Sequence, residues 1–154
     1  MCTACCCRAD ICEEASGSAF LNKLLSKQGI ETVDMDDRYG WLDVNGCRLE
    51  YGRPPICYSF YCDEVLQKLH DRESHLVAQV LGKLIHHIGQ NALGGWHLVE
   101  IMDEHDLERI NFDEIFQRLE EAQSAFEVIK QFVQSGRLSG VDRDVLALIT
   151  TKEP

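Results

Sequence analysis

Basic residues are scarce in this chain of 154 residues, which carries 15 Lys and Arg against 26 Asp and Glu, a formal net charge of −11. A protein that binds nucleic acid needs a basic stripe to meet the phosphates. The charge balance therefore predicts no nucleic-acid partner. Most of the acidity lies after residue 62, where 9 basic residues accompany 17 acidic ones, so this part should also repel anionic lipid headgroups.

Long apolar runs are also missing. No stretch approaches the roughly 18 apolar residues of a membrane span. Met1 is followed directly by Cys2, without the basic, apolar and cleavage regions of a secretory signal. We therefore expect a cytoplasmic protein with no membrane partner. The sequence contains no G-x-G-x-x-G, P-loop or Ser-His-Asp pattern, so it identifies no nucleotide or S-adenosylmethionine site and no catalytic residue.

Cysteine is unevenly distributed along the chain. All eight cysteines lie at or before Cys62, all six histidines lie at or after His70, and five cysteines fall in the first twelve residues, MCTACCCRADIC. Thiols stay reduced in the cytoplasm, so such a cluster there is more often metal-binding or catalytic than disulfide-bonded. The chain is also long and apolar enough to form a core without help from disulfides.

The other three cysteines lie in the segment WLDVNGCRLEYGRPPICYSFYC, with spacings Cys47-x9-Cys57-x4-Cys62. An Asn-Gly turn signal precedes Cys47 and an Arg-Pro-Pro run stiffens the chain before Cys57. We predict a loop that folds back onto the N-terminal cluster. Thiolate ligands suit zinc or an iron-sulfur cluster. Two four-thiolate zinc sites, one iron-sulfur cluster with spare thiols, and a mixed arrangement all remain open.

The stretch CTACC from Cys2 to Cys6, followed by GCRLEYGRPPICYSFYC, resembles the bacterial YkgJ-like family of zinc- or iron-chelating cysteine-cluster proteins. The flagellin lysine N-methylase is similar in its cysteine region. The resemblance covers about the first 62 residues and implies a metal-binding protein. The matching positions are Cys2, Cys5, Cys6, Cys47, Cys57, Cys62, Arg53, Pro54 and Phe60.

Two cysteine positions of that family are not cysteine in this sequence, and one of them falls near Tyr39. Cys7 and Cys12 are extra relative to the family pattern, so we expect them to take over the missing ligand positions, Cys12 more readily than Cys7. The full set of predicted metal ligands is Cys2, Cys5, Cys6, Cys7, Cys12, Cys47, Cys57 and Cys62.

Apolar residues at three- and four-residue steps predict amphipathic helices. The predicted helices are Ser18–Lys27, Glu73–Gln90, a long one from an Asn111 N-cap to Gly136, and Val141–Ile149. In the long helix, a heptad-like stripe that includes Phe126 and Val133 is expected to face the core. The stretch Trp96–Met102 is either a strand or a connector. His87 lies near an apolar stripe and His86 lies next to it, so we do not expect either histidine to be a metal ligand.

Together these observations predict a single, mainly α domain over residues 1–154. Its irregular, cysteine-rich metal-binding segment (1–62) should pack on a helical part (63–154). We expect a cytoplasmic protein that holds zinc or an iron-sulfur cluster, with the acidic helical part available to a protein partner. The alternatives are a small metalloenzyme related to flagellin lysine N-methylase and a metal-free redox-reactive thiol protein. Little chain remains for a separate cofactor domain, which favours the binding protein.

Overall fold

The computed structural model describes residues 9–61 and 63–150. The fold is mainly helical, as predicted, and contains seven α-helices within these residues. The chain divides into two compact units. In the described part, the first unit comprises residues 9–57 and 91–110, and the second comprises residues 58–61, 63–90 and 111–150.

The first unit consists of short elements. They are α1 (Ala9–Ser16), α2 (Ala19–Lys27), β1 (Leu42–Asp43), β2 (Gly46–Cys47), the start of α3 (Pro55–Ser59), and 3-10 segments at Thr32–Asp34, Leu98–Glu100 and Glu104–Arg109. Strands β1 and β2 form an antiparallel hairpin in which Leu42 lies opposite Cys47. A buried cluster of Cys12, Leu25, Trp41 and Leu49 packs beside this hairpin, with Cys47 at its edge.

The second unit is a helical bundle. Its helices are α4 (Asp63–Leu66), α5 (Arg72–Gly89), α6 (Phe112–Ser135) and α7 (Gly140–Thr150). Helices α5, α6 and α7 bury one continuous apolar cluster. Its buried members are Val77, Val80, Leu84, Ala122, Ala125, Ile129, Leu138, Leu146 and Ile149.

The sequence predicted the ends of the long helices well. The backbone N–H of Glu114 donates to the Asn111 side chain, which is the N-cap of α6, and Gly136 ends that helix in a left-handed conformation. Asp71 is the N-cap of α5, and its carboxylate accepts the Ser74 N–H at 2.8 Å. The predicted helices over 18–27 and 141–149 are confirmed as α2 and α7.

The predicted heptad stripe of α6 is wrong at two positions. Phe126 and Val133 are 44% and 76% exposed, and the buried face of α6 runs through Ala122, Ala125 and Ile129. Val128 and Phe132 also pack against the core, so the buried face is turned toward the Ala125 side of the helix and leaves Phe126 and Val133 on the opposite side of the stripe.

The cysteine-rich segment is less irregular than expected, because its described part contains α1 and α3 in addition to the predicted α2. Helix α1 is only 8 residues long, too short for periodicity to mark it. The stretch that was predicted as a strand or connector contains a 3-10 helix, Leu98–Glu100, capped by His97. Among the described helices, none is at once long and apolar enough to cross a membrane.

Candidate metal centre

Three of the predicted ligands lie around one cavity of the first unit. Cys12 from α1, Cys47 from β2 and Cys57 from α3 all line this cavity, which has a volume of about 30 Å³. All three are thiols rather than disulfides. The fold thus places one cysteine of the N-terminal group beside two of the downstream group. The other predicted ligands, Cys2, Cys5, Cys6, Cys7 and Cys62, lie outside the described residues.

Cys12 is held by a tight turn that packs against its sulfur. Asp36 and Gly40 exchange two backbone hydrogen bonds of 2.9 Å, and the N–H of Ala9 at the start of α1 donates to the Arg38 carbonyl at 3.3 Å. Gly40 has a φ of +61°, and a Cβ atom built on it would collide with the Cys12 Sγ. Only glycine therefore allows the turn to approach the thiol this closely.

Cys47 is positioned by the hairpin. The Asp43 carboxylate accepts the Asn45 N–H at 2.6 Å, which tightens the turn that the Asn-Gly pair predicted. The Arg48 N–H then donates to the Trp41 carbonyl at 2.8 Å. This pairing sets Cys47 next to the cluster that contains Cys12 and Trp41.

Cys57 is brought to the cavity by the Arg-Pro-Pro run. The Arg53 side chain donates from Nε and Nη2 to the Leu49 carbonyl, at 3.1 and 2.9 Å, and so fixes the bend of the chain. The Cys57 N–H donates to the Pro54 carbonyl at 2.9 Å in the first turn of α3. Cys57 is exposed whereas Cys12 is buried, so the three thiols line the cavity from its interior to its solvent side.

The environment of Cys12 disfavours a bare thiolate. Burial raises the pKa of Cys12 above its ordinary value of 9.0, and the nearby Cys47 and Asp10 charges raise this pKa further. A hydrogen bond from the Trp41 main-chain N–H opposes them and lowers the pKa. Without a cation, Cys12 is thus a protonated thiol at neutral pH. A metal ion reverses this preference because it binds the thiolate.

Trp41 forms one wall of the cavity. Its side chain is 2% exposed. Its indole Nε1 has no hydrogen-bond acceptor among the described residues. A buried N–H without an acceptor costs free energy, so such a group calls for a partner.

The donor set fits a thiophilic metal, although it is incomplete. The cavity lining includes three thiols, one arginine and no carboxylate. Within residues 9–61 and 63–150, no three Cys, His, Asp or Glu side chains are close enough together to form a ready ligand set. The three thiols would be the described residues of a metal site at this cavity, and by themselves they do not make a complete ligand group.

The two adjacent histidines are placed in the second unit. His87 is buried, and its Nε2 lies 2.8 Å from the Glu121 carboxylate. His86 is exposed on the same helix. The contact with Glu121 gives His87 a role in the packing of the helices, in line with the apolar stripe beside it.

Sequence reasoning missed Gly40 and Trp41, which shape the cavity. The available signal was the stretch Tyr39-Gly40-Trp41, in which a glycine separates two aromatic residues shortly before the Asn-Gly turn. Comparison with known proteins found no family model, no curated protein and no solved structure that matches this chain.

Proposed function

We propose that this protein binds a metal through its cysteine cluster, and that the centre holds either zinc or an iron-sulfur cluster. The observation that carries the proposal is the meeting of Cys12, Cys47 and Cys57 at one cavity. These residues are separated by 34 and 9 intervening positions and come from three different elements. Closing such loops costs chain entropy, and binding free energy from a structural metal offsets it.

The state of Cys12 favours a metal over redox chemistry. A redox-reactive cysteine is usually exposed, with a lowered pKa that populates the thiolate. Cys12 is buried and its pKa is raised. Such a thiol reacts slowly with oxidants but remains a good ligand, because a metal supplies the positive charge that burial of a thiolate requires.

The direct test is the metal content of the protein purified without oxygen. We expect stoichiometric zinc, or iron together with sulfide, in the wild-type protein. Cys12→Ser and Cys47→Ser should each lower the metal content. His86→Ala is the matched control, because it removes an exposed metal-competent side chain that the proposal leaves out of the site. A wild-type protein without stoichiometric metal would contradict the proposal, as would cysteine variants that keep their full metal content.

Metal removal should affect the two units differently. Both tryptophans, Trp41 and Trp96, belong to the first unit, whereas most helical residues belong to the second. Chelation should therefore shift tryptophan emission to longer wavelength while most of the circular dichroism at 222 nm is retained. Unchanged emission after complete metal removal would show that the centre does not support the first unit.

A further inference from the structure

Helix α6 carries an apolar row that is not part of the buried cluster of the second unit. Its members, here called the apolar face of α6, are Phe112, Phe116, Leu119, Phe126 and Val133. Leu119 is half-buried, whereas the other four are in water to a large extent: Phe112 is 54% exposed, Phe116 58%, Phe126 44% and Val133 76%. Since an aromatic side chain has an area of about 150–250 Å², the row exposes on the order of 400 Å² of apolar surface. Patches of this size on a protein surface are often functional.

The spacing of this face fits a neighbouring helix. Four of its members follow one another at steps of seven residues, namely Phe112, Leu119, Phe126 and Val133. Such a row winds slowly around an α-helix and stays in contact with a second helix that crosses it at about 20°. From residue 112 to residue 133 the row is about 32 Å long, and the paired rings of Phe112 and Phe116, with centroids 6.4 Å apart, widen its first end. The apolar face of α6 therefore matches one side of a helix–helix contact of three heptads.

A row of acidic residues borders this face. Asp113, Glu120 and Glu127 each follow a member of the face by one position, and all three are exposed. One position is about 100° around a helix, so the acidic row lies on the side of the face that points away from the buried residues of α6. Lys130, a cation beside the face, donates to the Glu127 carboxylate at 2.9 Å, and its ammonium lies 5.9 Å from the centre of the Phe126 ring. The border of the face is therefore acidic, and a partner that complements it must be basic.

We propose that the apolar face of α6 binds an amphipathic helix of a partner protein, one that carries Lys or Arg residues beside its own apolar stripe. The apolar side chains supply most of the binding free energy, and the acidic row sets the orientation and the choice of partner. A second copy of this chain fits less well, because in a symmetric dimer the same patch meets itself and the acidic row would oppose its own copy. The inference is independent of the proposed metal centre.

The test uses a synthetic helical peptide in place of the partner. This Lys peptide has three heptads with Leu at positions a and d and Lys at positions e and g, and its like charges keep it from pairing with itself. Two control peptides have Glu in place of every Lys, or the same residues in a shuffled order that leaves no apolar stripe. Binding of each labelled peptide to the full-length protein is measured by fluorescence anisotropy, at low and at high salt.

We expect the protein to bind the Lys peptide and neither control peptide, and we expect salt to weaken this binding because it screens the acidic row. Phe126→Ser should weaken binding roughly 30-fold, as for a residue at the centre of an interface. Val133→Ser should also weaken it, whereas Val141→Ser, which changes a similarly exposed valine of α7, is the matched control and should not. Glu120→Gln should weaken binding about 2–5-fold, the effect of losing one exposed ion pair. Circular dichroism at 222 nm should stay the same in all four variants, because the substituted side chains are exposed.

Three results would overturn the inference. If Phe126→Ser and Val133→Ser bind the Lys peptide as tightly as Val141→Ser does, the apolar face of α6 is not the binding site. If the Lys peptide does not bind, or the Glu peptide binds equally well, the partner is not a basic helix. If sedimentation equilibrium shows a wild-type dimer that Phe126→Ser converts into a monomer, a second copy of this chain covers the face instead.

Discussion

Replacing Gly40 with alanine tests whether the turn really packs against the Cys12 thiol. Gly40 has a φ of +61°, and an alanine Cβ would collide with the Cys12 Sγ and lie 3.0 Å from the Cys12 Cβ. Gly29 has a φ of +66°, yet a Cβ there would meet nothing within 4 Å. Gly29→Ala is therefore a matched control that carries the same backbone penalty without the collision.

The magnitudes follow from this comparison. Alanine in a left-handed conformation costs about 1–2 kcal/mol at either position. Overpacking a buried site costs typically about 1–3 kcal/mol more, and only Gly40→Ala adds this cost. With a urea m-value of roughly 1–3 kcal/mol per molar for a small protein, Gly40→Ala should unfold at a urea concentration lower than Gly29→Ala by on the order of 1 M.

Tryptophan fluorescence is the suitable assay, because both tryptophans report on the first unit. The unfolding curves should be recorded with a chelator present, so that packing is measured apart from metal binding. The metal content of the same variants should then be measured, since displacing Cys12 should lower the metal content in Gly40→Ala alone. If Gly40→Ala is as stable as Gly29→Ala and has the same metal content, the described contact between the turn and the thiol is wrong.

Two further predictions concern the second unit, followed by circular dichroism at 222 nm during urea unfolding. An alanine Cβ at Gly82 would lie 2.9 Å from the Ser59 Cα. Gly82→Ala should therefore destabilise this unit by about 1–3 kcal/mol. Gly140→Ala is the control and should be near neutral, because a Cβ there meets nothing within 4 Å. His87→Leu removes the 2.8 Å contact with Glu121 and should lower the free energy of unfolding by about 1–3 kcal/mol. A second substitution, Glu121→Leu, should restore part of that loss. If His87→Leu alone leaves the stability unchanged, this contact does not stabilise the unit.

The helices of the second unit were largely predictable because the sequence features that mark their ends and their apolar faces act locally. The Asn111 cap, the Gly136 stop and the apolar steps of α5 all act within a few residues of the feature that they mark. The error at Phe126 and Val133 arose where a local pattern had to be extended over several turns. Which positions of α6 are buried depends on how α5 and α7 pack against it, and a single stripe does not contain that information.

Of the residues that line or shape the cavity, the sequence singled out the cysteines but not Gly40 or Trp41. The spacing of Cys47 and Cys57 marked both residues as candidates, and both line the cavity. The role of Gly40 could not be predicted, because it depends on a contact with Cys12, 28 positions earlier in the chain. Trp41 was missed for the same reason: its main-chain N–H meets the Cys12 sulfur through tertiary packing, which no periodicity records.

The cavity also explains why the first unit would depend on a metal while the second would not. The cluster beside the cavity has four buried members, one of them Cys12 itself, whereas the cluster of the second unit has nine. The hairpin that carries Cys47 has strands of two residues each, and an isolated hairpin of this kind is marginal in water. Of the three cysteines that line the cavity, only Cys12 is a buried member of this core, and Cys47 lies at its edge. The proposed metal, bound by Cys12, Cys47 and Cys57, would add cross-links between α1, β2 and α3 and would thus stabilise this small core.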